Sequence, residues 1–115
     1  MNVEQKTIDG RTVLHISGRA DNATSAAFQE FMDPFLTEDR SDLILDLSDL
    51  EYISSAGLRV LLVVARHLAE NQGKGVLCGM NDLIKDVLEI SGFVSLYEIA
   101  DSVDSALAAE SGSSQ

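Results

Sequence analysis

The spacing of apolar residues switches between strand-like and helix-like periods along the chain, and the switch points predict its elements. Val3 to Ile8 and Arg11 to Ser17 read as strands separated by Asp9-Gly10, a dipeptide that supplies the positive φ angles of a type I′ hairpin turn. After Gly18 the period lengthens. Asp21-Asn22 and Thr24-Ser25 offer caps, and Ala26, Phe28, Phe31, Met32, Phe35 and Leu36 recur at helical spacing, so a first helix is predicted to end near Thr37 with Pro34 in its last turn. Leu43 to Leu47 is short and apolar, as expected for a strand covered on both faces. From Ser55, the residues Leu58, Leu61, Leu62, Ala65, Leu68 and Ala69 form one stripe, and Asn71-Gln72-Gly73 supplies a stop. Gly75 to Gly79 reads as a further inner strand. Leu83, Ile84, Val87, Leu88 and Ile90 mark a third helix closed by Ser91-Gly92, a short strand is expected around Leu96 to Ile99, and Asp101-Ser102-Val103 opens a last helix.

The predicted order is β-β-α-β-α-β-α-β-α. Strands alternating with helices imply an α/β fold whose sheet is mixed but mostly parallel, with right-handed crossovers and an antiparallel opening hairpin. One domain over 1–110 is expected, followed by a small, polar, flexible tail over 111–115. A chain of 115 residues is long enough to bury a real core but leaves no room for a second one.

Composition narrows the function. The net charge of −11, with only eight dispersed Lys and Arg, argues against nucleic acid, whose binding draws on clustered cations, and disfavours anionic membrane surfaces. Apolar runs stop short of the roughly 20 residues of a membrane span. Met1-Asn2-Val3-Glu4 lacks the basic and apolar regions of a secretory leader, and a single cysteine cannot build a disulfide framework, so a reducing cytoplasm is expected. Two histidines and one cysteine leave few nucleophile or metal-ligand sets, which makes a binding or switching module the default and predicts no enzyme, cofactor or metal.

The chemistry concentrates between Asp46 and Arg59, in Asp-Leu-Ser-Asp-Leu-Glu-Tyr-Ile-Ser-Ser-Ala-Gly-Leu-Arg. A strand is expected to pass through a polar loop to two adjacent hydroxyls, Ser54 and Ser55, where a long helix begins. The first N–H groups of that helix lack intrahelical partners, and such a terminus favours an anion. A phosphate on Ser55 would meet them, and Ala56 and Gly57 would leave the hydroxyl uncrowded. A capping role accounts for one serine at such a position. The residues alone leave capping and modification both open.

This segment resembles the signature of the STAS domain family, whose short stand-alone bacterial members, the anti-sigma factor antagonists, carry an Asp-Ser-Ser-Gly-Leu type motif. Gly18-Arg19-Ala20-Asp21 is similar to the family's Gly-x-x-Asp after the second strand, Asp46-Leu47 to the end of its third strand, and Val87 to Phe93 to a pattern in its third helix. The resemblance implies the STAS fold and a partner-switching regulator. The unmodified protein would bind an anti-sigma factor that is also an ATP-bound serine kinase and release its client. Phosphorylation at Ser55, less so Ser54, would abolish binding, and a serine phosphatase would reset it. Asp21, Asn22, Ser54, Ala56 and Gly57 would then face the partner, and Asp46 would be an acidic neighbour of the acceptor; Arg59, Val63 and Arg66, on the helix face opposite the apolar stripe, are candidates for the same surface, a solvated face being the other reading. Two departures stand out: Ser54 replaces the motif Asp, and Ala56 its second hydroxyl. The alternative is a STAS signalling or scaffold module that controls a non-sigma target, in secretion or motility, or binds a small ligand.

Other chemistries fit less well. An aspartyl-phosphate receiver opens β-α and needs an acidic pair and a strand-end lysine. A serine hydrolase would need a histidine beside Ser54 or Ser55, whereas His15 falls within a strand and His67 about three turns beyond Ser55. Gly73-Lys74-Gly75 lacks the remaining positions of a phosphate loop, and Cys78 reads as a small core residue.

Overall fold

The computed structural model describes residues 1–36 and 42–113, with 109–113 as backbone alone. Strands β1 (Asn2–Ile8) and β2 (Arg11–Ala20) form the expected hairpin. Asp9 and Gly10 have φ of 52° and 76°, the left-handed pair that a type I′ turn requires. Helix α1 (Ser25–Met32), β3 (Leu43–Ile53), α2 (Ser55–Glu70), β4 (Gly75–Cys78), α3 (Asp82–Ile90), β5 (Glu98–Ala100) and α4 (Val103–Ser113) follow. The sheet runs β1-β2-β3-β4-β5, antiparallel only at the hairpin.

Because the parallel strands follow one another in chain order, right-handed crossovers place α1, α2 and α3 on the same face. Phe28 and Met32 of α1, Val60, Leu61, Val64 and Leu68 of α2, and Ile84 and Leu88 of α3 pack there on Leu14, Ile16, Leu45 and Leu47. The other face carries a smaller cluster of Val13, Ile44, Val76 and Cys78 beneath Ala106 of α4. Further along β3 that face opens to solvent, with Ser48, Asp49, Glu51 and Tyr52 exposed.

Several expectations are corrected. Helix α1 stops at Met32 and continues as a 3-10 turn over Asp33–Leu36, because Pro34 has no N–H to extend the α-helical ladder. Ala26 and Phe31 of its predicted stripe are exposed, and Thr37 lies outside the described residues. Strand β3 runs six residues past Leu47, through the segment read as a polar loop. Its buried residues Leu47, Leu50 and Ile53 recur every third position, since two register shifts insert extra β3 residues against β2, between His15 and Ser17 and between Gly18 and Arg19. The buried stripe of α2 includes Val60 and Val64, while Leu58 and Leu62 are half-buried and Ala69 is exposed. In α3 only Ile84 and Leu88 are buried, and Leu83 and Ile90 are exposed. Phe93–Ser95 forms a 3-10 turn, so the last strand starts at Glu98. Residues 111–113, expected in a tail, continue the backbone of α4.

Gly57 fixes how α2 meets the sheet. A Cβ there would lie 2.7 Å from the Ala20 carbonyl oxygen and 2.8 Å from both the Ala20 Cβ and Ile53 Cγ1. Gly57→Ala would gain about 1 kcal/mol of helix propensity, but it would overlap backbone that cannot move without disturbing the β2–β3 join. Overpacking of this kind costs about 1–3 kcal/mol. The expected outcome is a net loss of stability, read as a lower urea midpoint.

Candidate functional site

The ends of β2 and β3 are tied together where α2 begins. The Ser54 N–H donates to the Ala20 carbonyl at 2.8 Å, and the Leu58 N–H donates to the Ser54 carbonyl at 2.9 Å as the first bond of the helix. Ser54 is therefore the N-cap, in extended conformation at φ −102° and ψ 179°, yet its side chain makes no capping bond. Its Oγ is enclosed and has no hydrogen-bond partner. Ser55, the first helical residue, is exposed. The amides of Ser55, Ala56 and Gly57 precede the first intrahelical donor, so the helix presents its positive end without a side-chain cap beside an exposed hydroxyl.

The same backbone bond brings the loop after β2 to this terminus, because Asp21 directly follows Ala20. The Asp21 Oδ1 accepts the amides of Ala23 and Thr24 at 3.0 and 3.2 Å, and the Thr24 hydroxyl accepts the Asp21 amide at 2.9 Å while donating to the Arg19 carbonyl at 2.7 Å. Desolvation opposes ionisation of Asp21, but the bonds from Thr24 and Ala23 and the charge of Arg19 outweigh it and hold the carboxyl below its ordinary range. The Arg19 Nε lies 3.6 Å from Asp21 Oδ2, and its guanidinium stacks 4.5 Å above the Tyr52 ring. Asp21 thus shapes the turn ahead of α1, and Asn22 is exposed on that turn.

Arg59, Val63 and Arg66 lie on the exposed side of α2, four, eight and eleven residues beyond Ser55, with Val63 39% accessible. A shallow groove beside them is lined by Leu62, Ala65, Arg66, Ala69, Ser95 and Leu96. Ala56, at 9% exposure, and Gly57 turn inward instead. At Gly57 a side chain has no room, because the helix packs there on Ala20 and Ile53.

Asp46 is also displaced from the expected site. Its register partner His15 lies five residues before Ala20 on β2, which at about 3.3 Å per residue puts Asp46 roughly 17 Å from the strand ends where α2 begins. Its Oδ2 is 2.9 Å from His15 Nδ1, and its Oδ1 accepts the Ser48 amide at 3.1 Å. The other imidazole nitrogen, Nε2, is 2.8 Å from Asp49 Oδ2. Sequence reasoning missed this cluster because it depends on strand register, although one signal was present: a histidine in β2 and two aspartates in β3. His67 lies near the far end of α2, beside Asn71. Cys78 is fully buried, and burial, aided by the Asp46 charge, pushes its thiol up to about 12. Among the described residues, no group of three His, Cys, Asp or Glu is arranged to hold a metal ion, and no helix is long and apolar enough to cross a membrane.

The orphaned Ser54 hydroxyl generates a stability prediction. Replacing an N-cap serine with alanine ordinarily costs about 1 kcal/mol, but here no capping bond is lost and an unpaired polar atom is removed. Ser54→Ala is expected to hold stability within about 0.5 kcal/mol of wild type in urea denaturation.

Comparison with known proteins places this geometry. The STAS domain family model matches residues 2–106. BtrV of Bordetella bronchiseptica, provisionally named an anti-sigma factor antagonist, is 37% identical over 109 residues, covering 95% of this chain and 94% of that one. The anti-sigma-B factor antagonist of Staphylococcus aureus is 24% identical over 99 residues, covering 86% and 92%. The anti-sigma factor antagonist SpoIIAA in its unphosphorylated form superposes with a TM-score of 0.77 at 16% identity, over 96% of this chain and 97% of that one. The phosphorylated form of the Bacillus protein gives 0.70 at 16% identity, over 93% and 97%. The family match over nearly the whole chain and the shared order of strands and helices lead to one conclusion: the chain belongs to the STAS domain family.

Proposed function

We propose that this chain is a cytoplasmic partner-switching regulator of the anti-sigma factor antagonist type, with Ser55 as its switch. The unmodified protein docks the start of α2 and the Asp21-Asn22 turn onto an ATP-bound serine kinase that also acts as an anti-sigma factor, displacing the client that factor holds. The Ser55 hydroxyl then attacks the γ-phosphorus of ATP, ADP leaves, the hydroxyl proton passes to a base on the kinase, and the complex separates. A serine phosphatase hydrolyses the ester and restores the binding form.

The observation that carries this reading is the exposed Ser55 hydroxyl on the first turn of a helix whose N-cap side chain makes no bond. Its relatives add weight, since BtrV and the Staphylococcus protein are named antagonists and SpoIIAA has been solved both phosphorylated and not. A phosphoserine adds about −1.5 to −2 charge. In an interface closed around a neutral hydroxyl, that charge must be desolvated against groups that did not need to neutralise it. A penalty of about 3 kcal/mol weakens binding more than a hundredfold, because each 1.4 kcal/mol is tenfold.

Arg59 and Arg66 support a specific polarity for the contact. They put positive charge on the exposed face of α2, Arg59 about one turn and Arg66 about three turns beyond Ser55, on a chain of net charge −11, so the partner surface over α2 is expected to be acidic there.

Mixing the purified protein with candidate kinases from its own cell and ATP, then mapping the product by mass spectrometry, tests the assignment. Phosphate is expected on Ser55, and its appearance solely elsewhere would overturn the reading. Ser55→Ala is expected to bind the kinase and resist release by ATP, whereas Ser55→Asp binds on the order of a hundredfold more weakly. Equal affinities would sink the switch. In calorimetry, Arg59→Glu is expected to weaken the unmodified complex by about tenfold or more, corresponding to about 1.4 kcal/mol.

A further inference from the structure

His15 occupies a position that strand pairing alone does not explain. It sits on β2 opposite Asp46, at the point where the β2–β3 register slips: the next pair along is Ser17 with Asp49. Its ring spans the slip, Nδ1 at 2.9 Å from Asp46 and Nε2 at 2.8 Å from Asp49. Ionised carboxylates only accept hydrogen bonds, and a neutral imidazole carries a single N–H. Satisfying both contacts requires both ring nitrogens to donate.

We propose that His15 is held as an imidazolium clamp across this bulge, fixing the register by which the end of β3 meets the end of β2, and that the join at the start of α2 thereby becomes sensitive to pH. The slip and the one that follows it determine that Ile53 pairs with Ala20, which sets the Ser54 amide against the Ala20 carbonyl. The clamp is independent of whether Ser55 is phosphorylated.

The surroundings reinforce a cation. Glu4 of β1 is the register partner of His15, and Glu4, Asp49 and Glu51 line the same open cleft, into which α3 contributes only the neutral cap residue Asn81. From β4, Cys78 pairs with Asp46, and its thiol, raised to about 12, adds no charge at neutral pH. The His15 side chain is 20% exposed. Its hydrogen bond to Asp46 outweighs desolvation and, with the charges of Asp46 and Asp49, raises its midpoint above 6.5. Partial burial works against ionised Asp46, but the bonds from His15 and Ser48 prevail and keep its carboxyl below its ordinary range.

The sign follows from linkage. With a raised folded midpoint, the clamp contributes fully below 6.5 and is lost as pH rises through the folded value. At the acid end, the Asp46 contribution is present above 3.8 and is lost as pH falls through its lowered folded value.

Long-range proton–nitrogen NMR of the labelled full chain reads this directly. Both His15 ring nitrogens are expected to show imidazolium shifts at pH 6.5, with a midpoint above that of the same residue in the urea-unfolded chain. A neutral tautomer there, or a midpoint at or below the unfolded one, would overturn the clamp. Asp49→Asn alters a side chain 68% exposed and so spares the fold; it is expected to lower the His15 midpoint, and an unmoved midpoint would remove Asp49 from the clamp. Amide exchange at fixed pH reads the coupling. The Ser54 protection factor is expected to fall in Asp49→Asn and in His15→Gln, and unchanged protection in Asp49→Asn would defeat the link to α2.

Discussion

The hydrogen bond from the Ser54 amide to the Ala20 carbonyl, 2.8 Å long, is the constraint around which the functional end of the molecule is arranged. It closes the β2–β3 pairing at the residue where β3 gives way to α2. It therefore sets three things together: where the helix axis starts, where the Asp21 turn leaves the sheet, and how closely α2 can approach. Gly57 meets the last requirement, since the space a Cβ would need is already taken by Ala20 and Ile53. The smallness of Gly57 is thus a packing condition of the join, and Ser55, two residues earlier, is left exposed on the first turn of the helix.

The hairpin, the alternation of helices and parallel strands, and the start of α2 at Ser55 were all legible in the sequence, because each is carried by local chemistry. Asp9-Gly10 needs positive φ, and apolar residues three and four apart need a helix face. What could not be read was anything set by register. Bulges stretch the inward period of β3 from two to three, so Leu47, Leu50 and Ile53 look like a strand end followed by a loop. The same bulges bring His15 within reach of Asp46 and Asp49, residues 31 and 34 positions away. Asp46 was expected near the acceptor on the family resemblance, which says nothing of strand register; β3 carries it to the other end of the exposed stretch, opposite His15.

Two polar assemblies therefore share the β2–β3 pair. The one at the strand ends joins a backbone carbonyl and amide to a turn in which the Asp21 carboxylate takes two N–H groups. The one at the bulge is side-chain-made and titratable. Their separation along the strands suits a regulator, because a charge change at the helix terminus leaves the carboxylates around His15 largely screened at a Debye length of about 8 Å in physiological salt.

Why a phosphate on Ser55 would change binding without unmaking the fold comes down to where its charge is tolerated. In the free protein the group would stand in solvent at the positive end of α2, an arrangement worth about 0.3–1 kcal/mol in its favour. No buried partner has to be surrendered, since the Ser54 hydroxyl makes no cap and Ser55 is already outside the core. The cost arises only when another surface closes over the helix start and removes that solvent. Under the proposed switch, the term that stabilises the modified monomer and the term that expels its partner share a sign. The difference between bound and free states is then larger than either contribution alone, which allows a small domain to answer one covalent event without a conformational change.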